Sequence, residues 1–291
     1  MPAATSYGAL LDALRGVAWP ARFASRGATA GTHKSKLRGT SAEFTEYRAY
    51  RQGDDPRRLD WKLLARTDRA YLRITNDRAT LPTLVLVDAS ASMAFPDAPG
   101  DKWTRACQLA VGLASVAHAS GDPVGVLVTG SPPLSLPLRA RRGVVAEIAR
   151  LLQGVTPAGD ALLAPHVREN ARASRLALVT DLLGDGPALL RAAREQMTRG
   201  VEVTLVHVVA REELDPPVGP ILAVDPETPA LKRPLVDATR DAYRGAFDAW
   251  RAGVAGEWRL AGARYMEVVT DDPADRAVRR IVGSAAHGVD T

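Results

Sequence analysis

Three oxygen-bearing side chains stand at alternate positions just after an apolar run: Asp88, Ser90 and Ser92 in the stretch LPTLVLVDASASMA, Leu81 to Ala94. One carboxylate and two hydroxyls at that spacing form a hard donor set, the kind that Mg²⁺, Mn²⁺ or Ca²⁺ takes. The residues before them, Leu84, Val85, Leu86 and Val87, read as a strand buried on both faces. A loop at the carboxyl end of such a strand is where open parallel sheets place their ligands.

The elements that must hold this loop come in order along the chain. Trp103, Ala106, Cys107, Ala110, Val111, Ala114 and Ala117 recur at three and four, which predicts a core-facing helix over Asp101 to Ser120 with Cys107 on its buried stripe. Val124 to Thr129, Leu176 to Asp181 and Val201 to Val209 read as further buried strands, and Arg264 to Thr270 as the last one. Leu134 to Leu138 contains Pro137, which cannot donate to a ladder and so predicts an edge strand. Helices are expected over Gly143 to Leu152, Pro187 to Thr198, Leu235 to Leu260 and Pro273 to Val282, and an appended strand or hairpin over Pro216 to Pro234. Strands alternating with helices imply right-handed crossovers and a mostly parallel sheet covered on both faces, an α/β three-layer sandwich.

Upstream, Thr5 to Gly16 has the spacing of a short helix. Glu43 to Tyr50 reads as irregular or briefly helical, and Gly53-Asp54-Asp55-Pro56 as a turn that starts a helix running to about Thr67, with Trp61 as an apolar anchor. Tyr71 to Thr75 alternates like an exposed strand. The expected organisation is an N-terminal extension, residues 1–80, that is not an independent fold, followed by the main domain, residues 81–285.

Bulk composition narrows the function classes. A chain of 291 residues, 46% hydrophobic and 24% charged, can bury a large core. A single Cys permits no internal disulfide, and the N-terminal stretch lacks the long apolar centre of a signal peptide or membrane span, so a cytoplasmic protein is expected. Arg22 to Arg73 holds thirteen Lys or Arg against six Asp or Glu, which raises nucleic acid as a partner. Acids and aromatics are interleaved with those bases, however, and that favours internal ion pairing or a protein partner. GATAGTHKSKLRG, Gly27 to Gly39, is no phosphate loop, because Thr32 and His33 separate its glycine from Lys34 and no strand precedes it.

DASAS resembles the first element of the metal-ion-dependent adhesion site (MIDAS) of von Willebrand factor A-like domains. RGTSAEFTEYRAYRQGDDPRRLDWKLLAR resembles the signature of the bacterial family called domain of unknown function 58, through Tyr47, Arg48, Tyr50, Gly53, Asp54, Asp55, Arg57, Asp60, Trp61, Ala65 and Arg66. The likeness covers roughly Gly31 to Asp272. It implies a von Willebrand factor A-like (Rossmann-like) fold and association with a MoxR-type AAA+ ATPase in chaperone-like assembly or activation of other complexes. In the adhesion-site pattern a second loop contributes threonine and a third contributes aspartate. Asp181 matches the third; the position aligned with the threonine is Asp160, so the implied ligand set is Asp88, Ser90, Ser92, Asp160 and Asp181. Three carboxylates around one point repel unless a divalent cation, protonation or distance relieves them.

Enzyme readings fare worse. A haloacid-dehalogenase-like phosphatase needs a general acid two residues after its Asp, where this chain has Ser90. A serine hydrolase needs a GxSxG elbow and a positioned histidine. His33, His118, His166, His207 and His287 have no metal-ligand spacing. The expectation is therefore a non-catalytic adaptor that binds a divalent cation, Mg²⁺ foremost; a MoxR-type ATPase and a client protein as its partners are what the family resemblance implies. A metal-dependent hydrolase and a nucleic-acid binder using the basic segment are the alternatives.

Overall fold

A computed structural model describes residues 7–22, 30–34, 44–51, 54, 56, 59–75, 78–96, 101–160, 162–217, 221–224, 230 and 232–283. The chain forms two compact units, one of residues 1–20 with 82–291 and one of residues 21–81. The expected single extension therefore divides: residues 7–20 pack with the main body, and the family-signature segment makes a unit of its own.

The larger unit is built on six strands: β5 (Thr83–Val87), β6 (Val124–Val128), β7 (Leu134–Arg139), β8 (Arg175–Thr180), β9 (Glu202–Val209) and β12 (Arg264–Val269). Their order is β12-β9-β8-β5-β6-β7, parallel except for β7 at the edge. The edge strand carries Pro137, as its sequence requires. Where β7 passes β6 the register shifts, and a Cβ at Gly125 would meet the Leu136 carbonyl oxygen at 2.7 Å, so only glycine fits there.

Alternate residues of the central strand go to opposite faces, the period of two that a pleated strand imposes. Val85 and Val87 join a core with Leu109 and Leu113 of α3 (Lys102–Ala119), Ile148 of α4 (Val144–Gln153) and Val278 of α9 (Ala274–Gly283). Leu86 joins Leu189 of α6 (Gly186–Thr198) and Trp258 of α8 (Asp237–Leu260) on the other face, beside α5 (Ala164–Glu169). The short α7 (Arg211–Leu214) comes after β9. The Pro-rich segment forms its own antiparallel pair, β10 (Ile221–Val224) with β11 (Lys232–Leu235), rather than extending the sheet. Helices on both faces of this strand order make an α/β sandwich of von Willebrand factor A-like architecture.

Residues 7–20, with α1 (Gly8–Ala13) packed on α3 and α9, lie against the core through Tyr7, Leu14 and Trp19. The buried Arg175 guanidinium stacks on the Trp19 ring at 4.3 Å, donates to the carbonyls of Trp19 and Pro20 at 3.3 and 3.1 Å, and pairs with Glu202 at 3.2 Å.

In the smaller unit β1 (Ala30–Lys34) pairs with β4 (Arg78–Ala79), and β2 (Phe44–Ala49) pairs antiparallel with β3 (Tyr71–Thr75). Phe44–Ala49 is thus a strand and not the irregular or briefly helical stretch expected, because β3 supplies a partner that local sequence cannot announce. The helix expected from Pro56 is α2 (Trp61–Thr67), and its cap is Asp60, whose carboxylate accepts from the amides of Lys62 and Leu63 at 3.1 and 3.0 Å.

Candidate functional site

The site grows from the carboxyl ends of β5 and β8. The Asp88 amide donates to the Val179 carbonyl at 2.9 Å, continuing the ladder one residue past β5. The chain then tightens into a 3-10 turn, Ala91–Ala94, and loses its strand partners. Two backbone hydrogen bonds tie this turn to the second loop: Ala91 donates to the Gly159 carbonyl and Ala158 to the Ala89 carbonyl, each at 2.9 Å. Gly159 sits at φ +63°, in the left-handed region that glycine enters freely. That turn brings Asp160 to the wall of the cavity which Asp88 also lines.

Asp88, Ser90 and Ser92 are all buried. Asp88 Oδ1 accepts from the Ser90 amide at 2.9 Å and Oδ2 from the Thr180 hydroxyl at 2.6 Å, while the Ser90 and Ser92 hydroxyls lie 3.0 Å apart. Burial, and then the negative charge of Asp181, push the Asp88 carboxyl up to about 6, against the opposing hydrogen bonds of Thr180 and Ser90. A cavity of about 510 Å³ opens here, walled by Asp88, Ser90, Asp160, Thr180 and Asp185 on its polar side and by Leu162, Leu163, Leu182 and Leu189 on its apolar side. The loops that carry the oxygens also carry three exposed large apolar side chains, Phe95, Leu162 and Leu183.

Asp181 has a different neighbourhood. Its Oδ2 accepts from the Lys102 ammonium at 2.7 Å, and that ammonium also donates to Glu213 Oε1 at 2.8 Å; all three side chains are withdrawn from solvent. Its Oδ1 accepts from the Leu183 amide at 3.2 Å. Leu182, between them, holds φ 61°, a left-handed conformation that a branched side chain rarely takes, with its amide bonded to Thr180 Oγ1 at 3.0 Å. The Asp181 carbonyl contacts His207 Nε2 at 3.1 Å. Since a carbonyl only accepts, Nε2 carries the proton and Nδ1 accepts from the Tyr265 hydroxyl at 2.6 Å. Burial drives this histidine down to about 4, so it is neutral at pH 7.

Of the five residues expected to hold a cation, the structure therefore puts Asp88, Ser90 and Asp160 on one cavity, with Ser92 in contact with Ser90 and Asp181 turned to Lys102. Among the described residues, no three His, Cys, Asp or Glu side chains gather into a group that could hold a metal ion. Sequence reading missed Lys102 and Glu213. One signal was there for Lys102: a cation in the first turn of a helix opposes the helix dipole, so a lysine behind the Asp101 cap needs an anion nearby.

The signature residues have structural partners in their own unit. Tyr47 donates to Asp60 Oδ2 at 2.9 Å and stacks edge-on with Tyr71; Arg48 pairs with Asp54 at 2.7 Å, and that bond holds the Asp54 carboxyl below its usual range. Tyr50 donates its amide to the Ala70 carbonyl. Trp61 is 64% exposed, so it is not the apolar anchor expected, and Arg66 is exposed as well. Gly53, Asp55 and Arg57 of the signature, and Ala161 of the second loop, lie outside the described residues.

The fold is that of an α/β domain of the von Willebrand factor A-like class, with a polar cavity at the carboxyl edge of the parallel strands. The chain belongs to the family described as protein of unknown function DUF58, whose model matches residues 46–253. It is 29% identical over 272 residues to uncharacterized proteins of Mycobacterium bovis and Mycobacterium tuberculosis, covering 89% of this chain and 84% of theirs. Among solved structures it is similar to the conserved hypothetical protein BatB from Bacteroides thetaiotaomicron, at 15% identity over 70% of this chain and 98% of that one, with a TM-score of 0.45. It is also similar to the manganese-loaded TRAP protein of Plasmodium vivax, at 17% identity over 44% and 56% of the two chains, with a TM-score of 0.36. Among the described residues no helix is long and apolar enough to cross a membrane.

Proposed function

We propose that this protein is a non-catalytic binding module whose loop Asp88-Ser90-Ser92, with Asp160 from the facing loop and Asp181 behind Thr180, forms a MIDAS-like site for a divalent cation, Mg²⁺ foremost. The observation that carries this reading is Asp88: a buried carboxyl on the cavity that Asp160 also lines, accepting from the Thr180 hydroxyl and the Ser90 amide beside the paired Ser90 and Ser92 hydroxyls, and pushed up to about 6 by burial. A carboxylate that burial makes costly to ionise gains most from a cation beside it. The donors are all hard oxygens, which suits Mg²⁺ or Mn²⁺ better than a metal preferring sulfur or imidazole. When bound, the cation would supply an electropositive point able to take a carboxylate from a partner protein. Phe95, Leu162 and Leu183 would give that partner apolar contact around the charged point.

The partner is proposed from family likeness: a MoxR-type AAA+ ATPase, acting with this chain in assembly or activation of a client complex. Mg²⁺ at about a hundred times its dissociation constant is expected to raise the melting temperature by about 5 to 10 °C, and Asp88→Ala to abolish the shift. In affinity purification from the native host, an ATPase that copurifies with the parent and is lost with Asp88→Ala supports the module. Absence of any cation-dependent shift in the parent, measured by scanning calorimetry, overturns it.

A further inference from the structure

The ammonium between Asp181 and Glu213 bears on this same site, and the role assigned to it rests on the proposal that a divalent cation binds at Asp88. Lys102 is fully buried at the first position of α3, where both the helix dipole and the loss of water disfavour a cation. Two carboxylates offset that cost: Asp181 Oδ2 at 2.7 Å and Glu213 Oε1 at 2.8 Å. Neither is free to swing. Asp181 Oδ1 is held by the Leu183 amide, and Glu213 Oε2 accepts from the Ala210 amide at 2.7 Å. The ammonium is fixed as well, with the Phe95 ring centroid 5.7 Å away and the Lys102 amide bonded to the Phe95 carbonyl at 3.0 Å. Asp181 meanwhile is absent from the residues that wall the cavity, although its chain neighbour Thr180 lies there and its charge is felt by Asp88.

We infer that Lys102 is the affinity-setting residue of the cation site: held between Asp181 and Glu213, its ammonium withholds part of the Asp181 charge from a divalent cation bound at Asp88. A tethered positive charge in that place has two consequences. It weakens the hold on the cation, because one of the carboxylates that would neutralise it is already engaged. It also leaves a bound cation more electropositive, and so better able to accept an oxygen from outside. Glu213 acts in the opposite sense. By sharing the ammonium it loosens the claim of Lys102 on Asp181, so the two residues of one ion pair should shift cation affinity in opposite directions.

Opposite shifts separate this role from a merely structural one, in which disrupting either residue would loosen the site. The test is calorimetric titration of the full chain with Mn²⁺, and separately with Mg²⁺, for the parent, Lys102→Met, Glu213→Gln and Asp88→Ala. Lys102→Met is expected to bind the cation about tenfold more tightly, since it returns a full carboxylate to the site, and Glu213→Gln about fivefold more weakly. Equal or weaker binding by a folded Lys102→Met overturns the inference. Should that variant fail to fold, because two buried carboxylates are left facing each other, Glu213→Gln decides: unchanged or tighter binding overturns it. Binding by the parent that Asp88→Ala removes, with no gain in Lys102→Met, defeats this inference alone. No binding by any of the four, or full binding by Asp88→Ala, defeats the cation site along with it.

Discussion

Asp88 concentrates the chemistry of this protein in one ionisable group. Its folded-state value, about 6, stands above the ordinary 3.8, so between those pH values the native state holds a proton that the unfolded chain has released. The associated stability is full below about 3.8 and is lost as pH rises through about 6. The gap corresponds to about 3 kcal/mol. Asp88→Asn carries no charge at any pH. Without divalent cation it is expected to exceed the parent by up to about 3 kcal/mol at pH 8 and to lose that advantage by pH 4, measured by urea denaturation in chelator. An advantage that does not change with pH would contradict a cost of ionisation. His207 has the opposite sign: pushed down to about 4, it contributes stability that is present above 6.5 and lost as pH falls through 4. Subtracting the parent curve from that of Asp88→Asn removes the His207 contribution and isolates the carboxyl.

At the scale of elements, regular structure came from local pattern wherever an element is buried. The five parallel strands and the helices α3, α4, α6, α8 and α9 lie within a few residues of where their apolar runs and periodicities put them, because each must present its apolar residues to a core. Phe44–Ala49 shows where that logic stops. FTEYRA carries polar side chains at half its positions, and only its pairing with Tyr71–Thr75 makes it a strand. The start of α2 differs for a related reason: local sequence puts it at the Gly53-Asp54-Asp55-Pro56 turn, and chain geometry selects Asp60 as the cap. Two glycines test the packing directly. Gly125→Ala is expected to cost about 1 to 3 kcal/mol by driving β7 away from β6, where its Cβ would sit 2.7 Å from a backbone oxygen. Gly245→Ala, inside α8 with no neighbour within 4 Å of the added carbon, is expected to gain about 0.5 to 1 kcal/mol. Chemical denaturation of the two variants side by side checks both signs.

At the scale of the whole molecule, the amino-terminal residues are part of the main body and not of the segment that comes after them. Trp19 is almost wholly buried, and its ring covers the guanidinium of Arg175, the first residue of β8, which also pairs with Glu202. Trp19→Ala is expected to destabilise the protein by about 3 to 5 kcal/mol, read as a lowered denaturation midpoint, because it removes a large buried ring and uncovers a buried charge. A surface-like loss below about 0.5 kcal/mol would show that residues 7–20 contribute little to the fold. Sequence alone determined the α/β order, the edge position of the proline-bearing strand and the oxygen-rich loop after β5, because strand period, helix period and proline's missing donor are properties of neighbouring residues. Only the tertiary structure decided which way Asp181 faces and what covers Arg175. Those choices join Lys102 to Asp181 across 79 residues and Arg175 to Trp19 across 156, where a buried charge takes whichever opposite charge, carbonyl or ring the packed core brings within reach.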